Sequence, residues 1–267
     1  MKYHWPGLIF FAFACQLQAA GQTENVRLDV WDGRGYQPCE PSIAIDPNNA
    51  DIVVAGSILD NVYHSTDGGS TWEKDQLTSP LGVFGDPCVV ASPTGDFYFL
   101  HLSDPDGEGW KSEALLDRIV CQRSKDGGET WSRGGGMGHT PPKDQDKEWA
   151  VVNADGSRIH ACWTQFDHYG SKEPGDSTAI LCSSSNAKGK RWTTPVIVSD
   201  ISGDCLDGDD TAEGAVPAVG IDGEVLVAWA LGPWIYFDKS LDGGLTWGKD
   251  QKVADIVGGW DQSIPGI

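Results

Sequence analysis

Eight residues recur in this chain with the same skeleton. Ser65-Thr66-Asp67-Gly68-Gly69-Ser70-Thr71-Trp72 returns as Ser124-Lys125-Asp126-Gly127-Gly128-Glu129-Thr130-Trp131 and as Ser240-Leu241-Asp242-Gly243-Gly244-Leu245-Thr246-Trp247. A worn copy, Ser185-Asn186-Ala187-Lys188-Gly189-Lys190-Arg191-Trp192, keeps the Ser, the second Gly and the Trp. The four Trp residues lie 59, 61 and 55 residues apart, a period that makes the chain a series of similar units. The motif has the chemistry of a tight turn. Asp bonds backbone N–H groups just ahead of it, Gly supplies positive φ without steric cost, and Thr and Trp then enter a strand. A turn-builder repeated in every unit is scaffold, so Asp67, Asp126, Asp242, Trp72, Trp131 and Trp247 are assigned to structure and not to chemistry.

Each copy follows a pair of apolar runs. These are 42–46 with 51–56, 88–91 with 96–100, 149–152 with 158–163, and 216–219 with 225–229, joined by Pro-, Asn-, Asp- and Gly-bearing turns. One strand before each Asp motif (61–64, 118–123, 179–184, 235–239) and one after its Trp bring the number to four strands per unit. Four antiparallel strands in a repeat of about 58 residues make a propeller blade. The 34 Gly and 15 Pro fit a chain of turns and short strands, and no stretch holds helical periodicity beyond one turn at 112–116.

The Ser-x-Asp-x-Gly-x-Thr-Trp segments resemble the Asp-box (BNR) repeat, and from about residue 25 onward the chain resembles the sialidase (neuraminidase) superfamily of β-propellers. The resemblance implies an all-β fold of four-stranded blades. Sialidase propellers have six blades, whereas this chain supplies four between Asn25 and Lys252 and the approach to a fifth at 255–267. The expectation is therefore part of a larger propeller.

The net charge of -20 would repel a phosphate backbone and an anionic membrane surface, which excludes nucleic-acid binding as a function class. Residues 1–20 read as a secretion signal, with Lys2, an apolar run at 8–14 and small residues at Ala19-Ala20; a rival reading makes Cys15 a lipoprotein anchor. The destination is secreted or periplasmic, with no transmembrane segment in the mature chain. Six cysteines remain after the signal (Cys39, Cys88, Cys121, Cys162, Cys182, Cys205). They allow up to three disulfides, and without a CxxC pair they do not suggest a zinc site.

In a propeller the Asp-motif turns share one face with the first-to-second strand turns. The remaining loops lie on the other face. The long loops here (101–117, 134–147, 165–178, 199–213) all fall on that second face and are acidic, with Trp110 and Trp260 mapping beside them. Carboxylates and aromatic rings suit a sugar, whose apolar face stacks and whose hydroxyls hydrogen-bond. Glycan is the expected partner.

The sialidase resemblance implies Asp60 as acid/base, in the second-to-third strand loop of the first blade, and Glu213 as a second catalytic carboxylate at the start of an inner strand. The family's Arg-Ile-Pro opening corresponds to Cys39-Glu40-Pro41, so Cys39 stands where the Arg is expected. Arg34 and Arg118 are the candidate arginines for a substrate carboxylate, with Lys147 as a point charge and Trp110 and Trp260 as stacking partners. The family's nucleophilic Tyr has no counterpart. Five acids at 204–213 (Asp204, Asp207, Asp209, Asp210, Glu213) offer oxygen ligands for Ca²⁺, although a solvated loop is the alternative and no cofactor is required. Three functions stay open: an exo-α-sialidase or related glycosidase, a non-catalytic glycan- or protein-binding propeller, and an inactive fragment of a larger enzyme.

Overall fold

The computed structural model describes residues 25–31, 33 and 35–259. The expected signal at 1–20, Cys15, Arg34, Trp260 and the remainder of the expected fifth-blade segment lie outside the described residues. The first sheet contains β1 (Ser42–Asp46), β2 (Asn49–Ser57), β3 (Asn61–Ser65) and β4 (Glu73–Gln76). The second contains β5 (Cys88–Ala91), β6 (Phe97–Leu102), β7 (Ile119–Ser124) and β8 (Gly135–Met137). The third contains β9 (Asp144–Val152), β10 (Arg158–Phe166), β11 (Thr178–Asn186) and β12 (Val196–Ile197). The fourth contains β13 (Glu213–Val219), β14 (Val225–Leu231), β15 (Trp234–Ser240) and β16 (Gln251–Asp255). Every sheet is an antiparallel meander in chain order, which is the expected four strands per repeat. Among the described residues a single 3-10 turn occupies Gly109–Lys111, and the turn expected at 112–116 follows it, closed by the Leu115 N–H on the Ser112 carbonyl at 3.3 Å.

Three apolar clusters join successive sheets, and they explain the strand sequences. In β6 every residue is buried because the strand is covered on both faces. Phe97 and Phe99 pack toward the first sheet with Val54 and Val62, whereas Tyr98, Leu100 and Leu102 pack toward the third with Ile159 and Trp163. A strand buried on both sides reads as a continuous apolar run. The third and fourth sheets meet through Cys162, Ile180, Val227 and Trp229. In β14 burial alternates, with Val225, Val227, Trp229 and Leu231 facing inward. No such cluster joins the fourth sheet to the first among the described residues.

The repeated turn behaves as its chemistry predicts. Asp67 accepts the Thr71 N–H at 2.8 Å and the Thr71 hydroxyl at 2.6 Å, while Ser65 Oγ takes the Gly69 N–H at 2.9 Å and the Trp72 indole N–H closes on the Gly69 carbonyl at 2.9 Å. The same bonds recur around Asp126 and Asp242. Gly68 and Gly69 have φ of 69° and 85°, values that an L side chain rarely adopts. The Thr hydroxyls are the main reason that the Asp67 and Asp242 carboxyls are held down to about 2. In the worn copy Ala187 makes no such bonds, yet the Trp192 indole still closes on Gly189 O at 3.1 Å.

All six described cysteines are free thiols. Cys162 and Cys182 face each other across β10 and β11, while Cys88 and Cys121 are separated by Leu100 of the intervening strand. No helix among the described residues is long and apolar enough to cross a membrane.

Candidate functional site

The first strand of each sheet begins in the same unusual way. Glu40-Pro41-Ser42, Asp86-Pro87-Cys88, Lys147-Glu148-Trp149 and Gly214-Ala215-Val216 occupy equivalent places, because Ser42, Cys88, Trp149 and Val216 pair with Gly56, Leu100, Cys162 and Ala228 of the second strands. The leading residue of each is left-handed, with φ of 50° at Glu40, 50° at Asp86, 48° at Lys147 and 70° at Gly214. In the third and fourth sheets this conformation forms a bulge, so that Lys147 and Glu148 lie against Trp163, and Gly214 and Ala215 against Trp229. A bulge re-aims the side chains beside it. Here it turns Asp146, Lys147 and Glu213 to a common cavity together with Glu40 and Asp86.

That cavity has a volume of about 880 Å³ and lies on the face formed by second-to-third strand loops and inter-sheet loops. The acidic lining is Glu40, Asp86, Asp146, Asp207, Asp209 and Glu213, with Lys147 among them. Phe84, Trp110 and Tyr169 form an aromatic wall, with ring centroids 6.0 Å apart for the first pair and 5.4 Å for the second. The Tyr169 N–H is held by Asp144 at 2.7 Å, and its hydroxyl donates to Asp207 at 2.5 Å. The structure contains five non-glycine residues with positive φ among those described, namely Glu40, Asp86, Leu116, Lys147 and Asp207. All five line this cavity. Left-handed backbone costs an ordinary residue about 1 kcal/mol or more and persists where surrounding structure enforces it, most often at functional sites.

Burial separates these carboxyls from water and raises their affinity for protons. Glu213 is pushed up to about 7, first by burial and then by the neighbouring Asp207, to which it is hydrogen-bonded. Burial carries Asp86 to about 6 despite the Lys147 ammonium 3.3 Å away. Asp146 and Glu148 are raised well above the carboxylate range, chiefly by burial and then by the charge of Asp86. Glu148 is 2 % exposed, neither of its oxygens has a hydrogen-bond partner in the protein, and it lines a chamber of about 120 Å³ between Glu40, Asp86 and Lys147. Burial works against the Lys147 charge, but Asp86 and Glu40 outweigh it and raise its proton affinity.

These shifts give the contribution of each carboxyl to stability a pH dependence of definite sign. A carboxyl whose folded pKa is raised binds more protons folded than unfolded, so its contribution is intact below about pH 4 and is lost as pH climbs through the folded value. The lowered Asp67 and Asp242 act oppositely, and their contribution is lost only as pH falls below the ordinary Asp range toward about 2. The contribution of the raised carboxyls is therefore expected to fall between about pH 4 and the folded values of about 6 for Asp86 and about 7 for Glu213, and it is opposed over part of that range by His101 and His160, which burial holds down to about 4 and whose contribution is lost as pH falls from the ordinary His range toward that value. Thermal unfolding of Glu213→Gln beside the parent across a pH series isolates the carboxyl contribution; a melting-temperature difference that does not move in the variant's favour from pH 5 to pH 8 would contradict it. In the same assay Glu148→Gln is expected to gain on the parent as pH rises, since it cannot ionise.

The sequence candidates are distributed unevenly. Glu213, Lys147 and Trp110 line the cavity. Asp60 does not, although Ile58 and Leu59 of its turn do; its carbonyl receives the Leu77 N–H at 2.7 Å. Arg118 is not part of the lining either, and its Nε and Nη2 both donate to Asp117, at 2.8 and 2.5 Å. In the loop considered for Ca²⁺, Asp204 accepts the Leu206 N–H and the Thr211 hydroxyl, while Asp207 takes Tyr169. Asp209 and Asp210 belong to the same loop, and no group of three or more acid, His or Cys side chains suited to a metal ion occurs among the described residues. Asp86 and Tyr169 were not candidates, and Asp146 belonged only to the acidic loop face as a whole. Superimposing Asp86-Pro87 on Glu40-Pro41 in the repeat would have exposed the first, whereas Tyr169 has no signal beyond its place in a long loop.

No protein-family model matches the chain, and no curated protein does. Solved structures do. A protein of unknown function from Dyadobacter fermentans superimposes with a TM-score of 0.55 at 19% identity, over 80% of this chain and 68% of its own. An α-L-arabinofuranosidase from Fusarium graminearum, in complex with an iminosugar inhibitor, gives 0.55 at 12% identity over 81% of this chain and 66% of that one. The intramolecular trans-sialidase from Ruminococcus gnavus gives 0.52 at 16% identity over 81% and 71%. The chain thus spans about two thirds of the length of these structures, and its fold is that of the sialidase-like β-propellers.

Proposed function

We propose that this protein is a carbohydrate-active propeller, a glycoside hydrolase whose cavity carries Glu213 as general acid and Asp86 as the ionised partner. The observation that carries the reading is the convergence of every described left-handed non-glycine residue on one aromatic and carboxylate-lined cavity. Glycosidases need two carboxyls in opposite protonation states on either side of the scissile bond. Glu213, raised to about 7, keeps a proton to give to the leaving oxygen, while Asp86, at about 6 beside Lys147, is ionised first and stabilises positive charge developing at the anomeric carbon. Asp207 accepts hydrogen bonds from Glu213 and Tyr169 and so orients the acid. Phe84, Trp110 and Tyr169 offer rings for the apolar face of a sugar. That an arabinofuranosidase and a trans-sialidase share the fold supports the class but does not choose the substrate.

The pH dependence tests the assignment. kcat/KM on aryl glycosides is expected to rise as Asp86 ionises near 6 and to fall as Glu213 loses its proton near 7, giving a narrow bell between the two values. A profile flat across that interval would exclude this pair. Asp60→Ala belongs in the same experiment, because the sialidase resemblance gives Asp60 the role of acid/base; loss of the alkaline limb in that variant, and not in Glu213→Gln, would move the role to Asp60. Saturable glycan binding with no turnover by the mature chain would instead support the binding-module reading. Export is part of the proposal, and N-terminal sequencing of protein recovered outside the cytoplasm would locate a cut near residue 20.

A further inference from the structure

We infer that the cavity accepts glycosyl groups bearing no anionic substituent, so that its substrate is a neutral or amino sugar and neither a sialic acid nor a uronic acid. This rests on the glycosidase reading above and adds the charge class of the substrate. Six carboxyl groups line the space, and Lys147 is the cationic side chain that faces it among the described residues. Lys147 is already engaged, with its Nζ 3.3 Å from Asp86 and 3.7 Å from Glu40. A bound sugar carboxylate would have to take Lys147 from two anions that are themselves part of the wall.

Recognition of a carboxylate favours the bidentate fork of an arginine. Arg118 turns its fork onto Asp117, and Arg123 donates to Asp96 at 2.5 Å. Neither lines the cavity. The cavity has the reverse preference. Even with Glu213 and Asp146 holding protons, the carboxyl groups lining the cavity outnumber its one ammonium among the described residues, and their field in a partly desolvated space attracts a cation and repels an anion. A sugar with hydroxyls alone meets no such penalty, since carboxylates accept hydrogen bonds from hydroxyls. An amino sugar gains further.

The test uses the mature chain at pH 6.5. Turnover is measured on a panel of methylumbelliferyl glycosides: α-L-arabinofuranoside, β-D-galactoside, β-D-glucosaminide, N-acetylneuraminide and β-D-glucuronide. Binding of deoxynojirimycin, a basic iminosugar, is compared by calorimetry with that of D-glucuronate. At least one uncharged or amino glycoside is expected to exceed both acidic ones about 100-fold in kcat/KM, and the iminosugar to bind more tightly than glucuronate, with the difference shrinking as salt is added. Faster turnover of the neuraminide or glucuronide, or tighter binding of glucuronate, overturns this inference and leaves the glycosidase reading intact. No turnover on any glycoside, with the iminosugar still preferred, removes the glycosidase reading and supports the charge preference. Glu40→Gln releases one of the partners of Lys147 and is expected to raise the affinity for glucuronate about tenfold; an unchanged affinity overturns the claim that pairing of Lys147 is the barrier.

Discussion

Glu213→Gln is expected to lower kcat by about 1,000-fold on a glycoside with a poor leaving group, within the span usual for removing a general acid. Gln is nearly isosteric and can still donate to Asp207, so the change removes the transferable proton and little of the packing. Two further consequences separate an acid from a merely structural residue. The alkaline limb of the pH–rate profile, set near 7 by Glu213, should disappear. The defect should also shrink when the leaving group is a dinitrophenolate, which departs without protonation. An equal loss on both kinds of leaving group would refute the role. The expectation depends on the bulge at Gly214, whose φ of 70° turns Glu213 toward the cavity and not along the regular ladder.

Trp163→Ala is expected to destabilise the protein by about 4 kcal/mol, the range found when a large buried aromatic is truncated. Trp163 is fully buried between the second and third sheets, and its indole N–H donates to Gln145 Oε1 at 2.7 Å. It also lies against the bulge that aims Lys147 and Asp146. Loss of the ring therefore removes apolar contact, leaves the Gln145 oxygen with only the longer bond from the Gln165 amide at 3.1 Å, and loosens the cavity wall. Urea denaturation gives the first effect, and a fall in kcat for the folded fraction gives the second. Trp163→Phe keeps most of the packing while losing the hydrogen bond, and about 1 to 2 kcal/mol is expected. A loss below about 1 kcal/mol for the Ala variant would show that the packing is not tight there.

The blade architecture was legible because it is written locally and repeatedly. The bonds that Asp67 makes to Thr71 span four residues, and the chain states them again at Asp126 and Asp242. The two-sided apolar run of β6 and the alternation of β14 follow from how many neighbouring sheets cover each strand. Even the worn copy kept the residues that close its turn, with the Trp192 indole bonded to Gly189. The acidic loop face was legible too, since loop polarity follows from blade topology.

The chemistry was much less so. Among loop acids, Asp60 and Asp86 look alike in the chain; the fold takes Asp86 into the cavity with a left-handed backbone and leaves Asp60 outside its lining. Arg118 looked like an anchor for an anion until its fork proved to be closed on Asp117. Tyr169 acquires a role only because the third sheet's loop and the loop before the fourth sheet meet through its bond to Asp207.

From the chain alone, the repeat established an all-β propeller, the number of strands per blade and the face on which the long acidic loops gather. Those depend on turn geometry and on alternation, both of which act over a few residues. Which carboxyls are stripped of water, which are paired and which keep a proton near neutral pH depended on the assembled sheets. Desolvation and charge–charge interaction act through space between residues as distant in sequence as Glu40 and Lys147, or Asp86 and Glu213, and exist only once four inner strands converge on one cavity.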